Sequence, residues 1–192
     1  MTSKKSYWNN FYNKSDIASE EPSSFCSFVM DYFKGHNILN VLDAGCGNGR
    51  DSYHLSSKFA VVGVDSSGYK PPDAKDCKFY VSDFCSYDKT GFNLIYLRFT
   101  FHSIANEDHS ILLESIKDNT YLCIETRSDK GLDTHRYHGD DHYRNFTNLE
   151  YLVNILKEYN FETIYMEENE GLAIYKNENP ICIRVICRKI AI

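Results

Sequence analysis

Proline, glycine and tryptophan are scarce in this sequence, at 4, 10 and 1 among 192 residues. So few chain breakers exclude a Pro-rich or Gly-rich low-complexity architecture. An excess of positive charge is also missing. Lys plus Arg number 21 against 27 Asp plus Glu, for a net charge of −6, which argues against nucleic acid as the main partner. No apolar run nears the ~20 residues of a bilayer span, so no membrane partner is expected. The opening MTSKKSYWNNFYNK is basic but has no apolar core behind it, so no secretory signal is read there. The seven cysteines include no C-x-x-C pair, and Cys123, Cys182 and Cys187 lie inside apolar runs. That pattern speaks for thiols packed as small core residues in a reducing, cytoplasmic compartment, rather than a disulfide framework or a zinc finger.

What is present is apolar and aromatic, 42% and 15% of residues, enough to bury one core. A single domain over 1–192 is expected. Strand-length apolar runs recur at Ile38–Leu42, Phe59–Val64, Phe79–Val81, Asn93–Leu97 and Tyr121–Ile124. Each ends at or near a charged residue: Asp43, Asp65, Asp83, Arg98 and Glu125. Continuous apolar runs suit strands covered on both faces, and ligands bind at the carboxyl ends of such strands.

Between the runs lie helical patterns. Phe25, Phe28, Val29, Tyr32 and Phe33 keep helical spacing after Ser23-Ser24 and before Gly35. Asn106 can cap a helix carrying Ile111, Leu112, Leu113 and Ile116. Thr147 and Glu150 read as a capping box before Leu149, Leu152, Val153 and Leu156. Two more strands follow, at Phe161–Glu167 and Ile181–Arg188. The alternation predicts an α/β fold with a doubly wound sheet. The stretch from Asp65 to Phe79, with Pro71-Pro72, is too short for a full crossover helix, so a shortened or missing helix is expected there.

The most informative segment is Asp43-Ala44-Gly45-Cys46-Gly47-Asn48-Gly49-Arg50, after the first strand. Glycines there allow a sharp turn and close backbone approach to a ligand. A dinucleotide loop needs G-x-G-x-x-G, and Arg50 holds the last position, which disfavours NAD or FAD. The segment instead resembles motif I of the class I S-adenosylmethionine-dependent methyltransferases. Val62–Ser66 resembles that family's second motif, and Val81–Phe84 its third.

That resemblance implies a Rossmann-like seven-stranded sheet, mostly parallel with an antiparallel last strand. It also implies S-adenosylmethionine as cofactor and S-adenosylhomocysteine as product. The cofactor contacts it implies are Asp43, Gly45, Gly47, Asn48, Arg50, Asp65 and Ser66, with Asp65 on the ribose hydroxyls. Asp83 and Phe84 would take the adenine, and the backbone at Leu97 and Arg98 the methionine amino group. Trp8 and Tyr12, in an N-terminal W-x-x-x-Y segment, are similar to a segment that folds over the cofactor in small-molecule methyltransferases. Residues 1–36 are accordingly expected to form an aromatic, helical lid, although packing of a terminal helix onto the core would use the same aromatics.

Two absences bear on the methyl acceptor. No Asn-Pro-Pro-Tyr-like tetrad follows strand four, where Arg98-Phe99-Thr100-Phe101 stands, and no cysteine follows a proline. Methylation of nucleic-acid bases is therefore disfavoured, and a small acceptor is expected. A hydroxyl acceptor benefits from a general base. His102 is the first candidate, with help from His142 or Glu125; a packing or capping role would also account for His102.

Residues 126–146 form an unusually long loop rich in His, Asp, Arg and Tyr, in which Arg127, His135, His138, Tyr143 and Arg144 are candidate substrate contacts. The histidine spacing matches metal-ligand patterns poorly, so no metal is expected. Some segments, Arg98–His102 and Gly171–Pro180 among them, are similar to methyltransferases of polysaccharide and nucleotide-sugar modification and to a tellurite-resistance-like branch. That suggests carbohydrate O-methylation, and arginines would suit phosphate on the acceptor. The alternatives are another small metabolite, a protein or RNA acceptor, or a non-catalytic S-adenosylmethionine-binding subunit. A homodimer is compatible with all of these.

Overall fold

A computed structural model describes residues 8, 12, 21–131, 137–138 and 142–191, the short stretch around 131–143 as backbone only. The main sheet has seven strands: β1 (Asn40–Ala44), β2 (Ala60–Asp65), β3 (Cys77–Val81), β4 (Leu94–Arg98), β5 (Tyr121–Arg127), β8 (Phe161–Asn169) and β9 (Cys182–Lys189). Two short strands, β6 (Tyr137–His138) and β7 (His142–Tyr143), stand apart from it as an antiparallel ribbon. The order in the main sheet is β3-β2-β1-β4-β5-β9-β8. β1 to β5 pair in parallel, and β9 inserts antiparallel between β5 and β8. This is the doubly wound, mostly parallel sheet with an antiparallel last strand that the sequence led us to expect. The strand order reverses between β1 and β4, where such sheets open a ligand crevice.

Each face of the sheet carries its own core. On one face, α1 (Ser24–Tyr32) and α2 (Arg50–Leu55) bury Phe25, Cys26, Val29 and Leu55 against Val41, Leu94, Tyr96 and Cys123. On the other, α3 (Asn106–Ser115) and α4 (Leu149–Glu158) bury Leu112, Leu113, Leu152 and Leu156 against Leu42, Ile95, Leu122 and Ile124. Neighbouring strand residues alternate between the two cores because side chains alternate across a strand. α1 starts as its sequence suggests, with the Ser23 side chain accepting from Cys26 N–H. The expected lid over 1–36 is thereby shortened: α1 is core because Phe25, Cys26 and Val29 are buried against the sheet, so only the chain before it is left for a lid.

No helix forms between β2 and β3, as the length of that stretch led us to expect. Four other details depart from the sequence reading. β5 runs on through Glu125 and Thr126 to Arg127, because β9 pairs it that far and supplies Arg184 as a partner for Glu125. α4 is capped by Asn148, whose side chain accepts from Tyr151 N–H. Thr147 is not the cap, because its hydroxyl bonds Thr126 at 2.8 Å. Asn106 opens α3 as a helical residue, its side chain accepting from Asn145 rather than capping. Finally, the 126–146 stretch is not structureless: it holds a 3-10 turn at Asp129–Gly131 and the β6–β7 ribbon. Among the described residues no helix is long and apolar enough to cross a membrane.

Candidate active site

The glycine loop leaves β1 through three left-handed turns, Gly45 at φ 82°, Gly47 at φ 54° and Gly49 at φ 82°. Gly45 and Cys46 N–H groups both donate to the Val64 carbonyl, at 2.7 and 3.1 Å, which ties the loop to β2. A side chain is excluded twice over. A Cβ at Gly45 would collide with the Thr100 side chain, and one at Gly47 would lie 2.6 Å from the Tyr12 hydroxyl. Tyr12 stacks on Trp8, ring centroids 5.6 Å apart, and tilts onto Tyr69 at 6.2 Å. Tyr12 thus sits directly over the glycine loop, with Trp8 stacked on it.

Asp65, at the end of β2, accepts from Gly47 N–H at 2.9 Å and from Ser67 N–H at 2.8 Å. Its neighbour Ser66 is exposed. Asp83 is exposed and accepts from Cys85 N–H at 2.9 Å. Phe84 is buried, with its ring 3.6 Å from the position a Gly45 Cβ would take. Asn48 accepts from Arg50 N–H, and Arg50 reaches Asp51 at 3.1 Å. Asp43 is buried and accepts from the Ser52 hydroxyl at 2.5 Å, holding α2 to β1. Burial pushes its carboxyl up to about 7. Leu97 is wholly core, so any ligand contact there runs through its main chain.

Beside this loop lies a buried charge network that periodicity could not disclose. Asp51 accepts from Ser23 N–H and hydroxyl, from Tyr96 hydroxyl at 2.7 Å and from Arg50. Burial alone would raise its carboxyl, but the cations of Arg98 and Arg50 and the Ser23 bonds hold it below the ordinary carboxylate value. Glu125 is fully buried between Arg98, at 3.1 Å, and Arg184, at 2.8 Å. Burial raises its carboxyl against the pull of both arginines. In this position Glu125 is a counter-charge that orients two guanidiniums. Sequence reasoning missed both Asp51 and Arg184. The signal for Arg184 was a lone arginine inside an apolar strand, which must find a partner when buried.

The chain then leaves β4 through Phe99, whose φ of 57° is unusual for a bulky residue. Arg98 stacks over the Phe99 ring at 4.5 Å and Arg127 at 5.5 Å. His102 lies 5.5 Å from the same ring and is buried. Its Nδ1 accepts from Arg127 N–H at 3.1 Å and lies 3.1 Å from the Thr126 hydroxyl, which in turn bonds Thr147. Since a main-chain N–H can only donate, the His102 proton sits on Nε2. Arg144 is buried, and Asn145 N–H donates to the His102 carbonyl at 2.7 Å. Of the remaining candidates, His138, His142 and Tyr143 lie on the β6–β7 ribbon, and His135 lies outside the described residues.

The residues present fit S-adenosylmethionine. The glycines keep the loop free of side chains between Thr100 and Tyr12, and the Thr100 hydroxyl beside Gly45 is buried without a hydrogen-bond partner. Fold and site together define a class I methyltransferase. The chain belongs to the methyltransferase-domain family, whose profile matches residues 15–165, and its cofactor is S-adenosylmethionine.

Solved structures agree on the fold. The 1,6-didemethyltoxoflavin-N1-methyltransferase of Burkholderia thailandensis, with bound 1,6-didemethyltoxoflavin and S-adenosylhomocysteine, is similar at TM-score 0.71 and 16% identity, over 97% of this chain and 87% of that one. An S-adenosylmethionine-dependent methyltransferase from Anabaena variabilis is similar at TM-score 0.67 and 18% identity, over 96% and 94%. TehB from Haemophilus influenzae is similar at TM-score 0.61 and 19% identity, over 96% and 67%. No curated protein matches the sequence.

Proposed function

We propose that this chain transfers the methyl group of S-adenosylmethionine to a small polar acceptor seated against the ends of β4 and β5, with a sugar-type hydroxyl as the first candidate. One observation carries the reading. Thr100 packs against the Gly45 cradle while its neighbours Arg98 and Phe99 form a wall with Arg127, so one turn of chain joins a cofactor cradle to an acceptor surface.

When bound, the cofactor supplies an electrophilic methyl on a sulfonium. Asp65 would turn its carboxylate from Gly47 N–H to the ribose hydroxyls. Asp83 and Phe84 would hold the adenine, and Arg50 with the main chain of Leu97 and Arg98 the amino-acid end. Asn48 and Ser66 line the same loops, and Trp8 and Tyr12 cover them and exclude water. Alignment in such a closed site is the main source of rate. Arg127, Arg144 and the ribbon carrying His138, His142 and Tyr143 would hold the acceptor, with His135 in the same stretch.

The tautomer of His102 favours a second reading. With the proton on Nε2, His102 is a hydrogen-bond donor, and it acts as a base only by giving up the Arg127 N–H contact. A nitrogen acceptor, or an already acidic hydroxyl, needs no base.

Labelled S-adenosylmethionine offered with a panel of sugars, nucleotide sugars, amines and nitrogen heterocycles tests both readings. Label appearing on a sugar oxygen supports the first, with turnover rising with pH and lost in His102→Gln. Label on nitrogen, with His102→Gln largely active because the amide still donates, supports the second. Cofactor binding without transfer to any member would point to a non-catalytic subunit.

A further inference from the structure

Four arginines gather at this sheet edge, and one is partnered unlike the rest. Arg50 and Arg98 share the buried Asp51, and Arg98 and Arg184 share the fully buried Glu125. Arg127 instead meets Glu178, at 2.6 Å through a single guanidinium nitrogen. Glu178 is 47% exposed on the loop between β8 and β9, while the Arg127 side chain is only 11% exposed. The loop is closed by paired main-chain bonds between Tyr175 and Glu178. The Nε of Arg127 is buried and has no hydrogen-bond partner. A buried guanidinium with an unmatched N–H favours a second acceptor atom, which a planar oxyanion supplies in a two-point contact. Its position is apt: the guanidinium lies over the Phe99 ring that also faces His102 and Arg98.

We propose that Arg127 anchors an oxyanion of the methyl acceptor, a carboxylate or a phosphate, and that Glu178 holds this anchor until the acceptor arrives. This rests on the methyl-transfer reading above and narrows its acceptor to an anionic small molecule. Glu178 suits the placeholder role because it comes from an exposed loop. It can turn toward solvent more readily than the buried Asp51 and Glu125. Exchange of one carboxylate for another oxyanion leaves the charge at Arg127 balanced throughout.

The protein saturated with S-adenosylhomocysteine is titrated with inorganic phosphate and, separately, with acetate, while the Arg127 Nε–H signal is followed by nitrogen-edited NMR. The signal is assigned by its loss in Arg127→Gln. At least one anion is expected to shift it saturably. Glu178→Gln is expected to tighten that anion about 10-fold by removing the competitor, and Arg127→Gln to abolish binding. The stronger of the two anions distinguishes phosphate from carboxylate. Equal anion affinity in wild type and Glu178→Gln, or anion binding that survives Arg127→Gln, overturns the proposal. S-adenosylhomocysteine affinity is measured in parallel by calorimetry. Its absence in wild type would sink the methyltransferase reading instead, which keeps the two failures apart.

Discussion

The two halves of the sheet edge are built with different chemistry. Around β1, β2 and β3 the site is made of main chain: left-handed glycines, N–H groups and two short acidic side chains that cap turns. Around β4, β5 and β9 it is made of long charged side chains: Arg98, Glu125 and Arg184 are locked together below the surface, and Arg127 lies over the Phe99 ring beside them. The first half has shape before any ligand arrives, because backbone geometry sets it. The second has shape only while its charges balance. The contrast teaches where each half is vulnerable: substitutions around the glycine loop should cost binding, and those in the buried charge network should cost folding first.

The largest break is expected at Glu125. Glu125→Ala leaves Arg98 and Arg184 without their shared counter-charge in a buried place, and should destabilise by about 3–5 kcal/mol. Urea unfolding measures this, and a loss below about 1 kcal/mol would show that water reaches the network and the contrast is false.

Next comes a pH effect at Asp43, the carboxylate buried under the glycine loop rather than in the network. Its carboxyl is raised to about 7 in the folded chain from 3.8. The folded state therefore holds the proton more tightly than the unfolded state. Asp43 weakens the fold progressively as pH rises from about 4 to about 7, after which its effect is constant; each tenfold difference in proton affinity between the two states is worth ~1.4 kcal/mol. Asp43→Asn should remove that slope and be the more stable protein above pH 7. Parallel melting curves for the two proteins would show identical pH profiles if Asp43 stays ionised throughout.

Asp65→Ala should act on binding instead, weakening S-adenosylhomocysteine about 10- to 100-fold with little change in melting temperature, as expected for lost charge-assisted hydrogen bonds. Calorimetry reads the first and a thermal melt the second; unchanged affinity would remove Asp65 from the cofactor site.

The smallest effect sharpens the comparison. Lys89 is buried on the glycine-loop side, yet its ammonium donates to three main-chain carbonyls, of Phe84, Cys85 and Tyr87, at 2.9–3.0 Å. It shapes the turn that carries Asp83 and Phe84. Lys89→Met should weaken adenosine and S-adenosylhomocysteine by a similar small factor, about 3- to 10-fold, for loss of bonds to a charged donor, with Lys89→Arg recovering part of it. Loss confined to melting temperature would make Lys89 purely structural.

Much of the glycine-loop half was legible because its signals are local. Gly45, Gly47 and Gly49 announce a turn, and Asp65 and Asp83 close strands whose apolar runs are unmistakable. The sheet's mixed direction followed from the family resemblance those motifs carry. The arginine-rich half was legible only as a set of polar residues. Glu125 read as a strand end and a helper base, although the strand continues past it and its carboxylate is taken by two arginines. His102 read as a base, although its tautomer is set by Arg127 N–H, a partner 25 residues away. Thr147 read as a cap, although its hydroxyl is taken by Thr126, 21 residues away in sequence.

By itself, then, the sequence determined the alternation of strands and helices, the glycine cradle and the acidic strand ends. Each depends on backbone conformation and side-chain periodicity within a few residues. Only the tertiary structure decided which carboxylate neutralises which arginine, where the His102 proton sits, and that Tyr12 covers Gly47. Those outcomes depend on burial and on partners from β9, the β8–β9 loop and the N-terminal chain, and electrostatic energies inside a protein are set by such neighbours rather than by residue type.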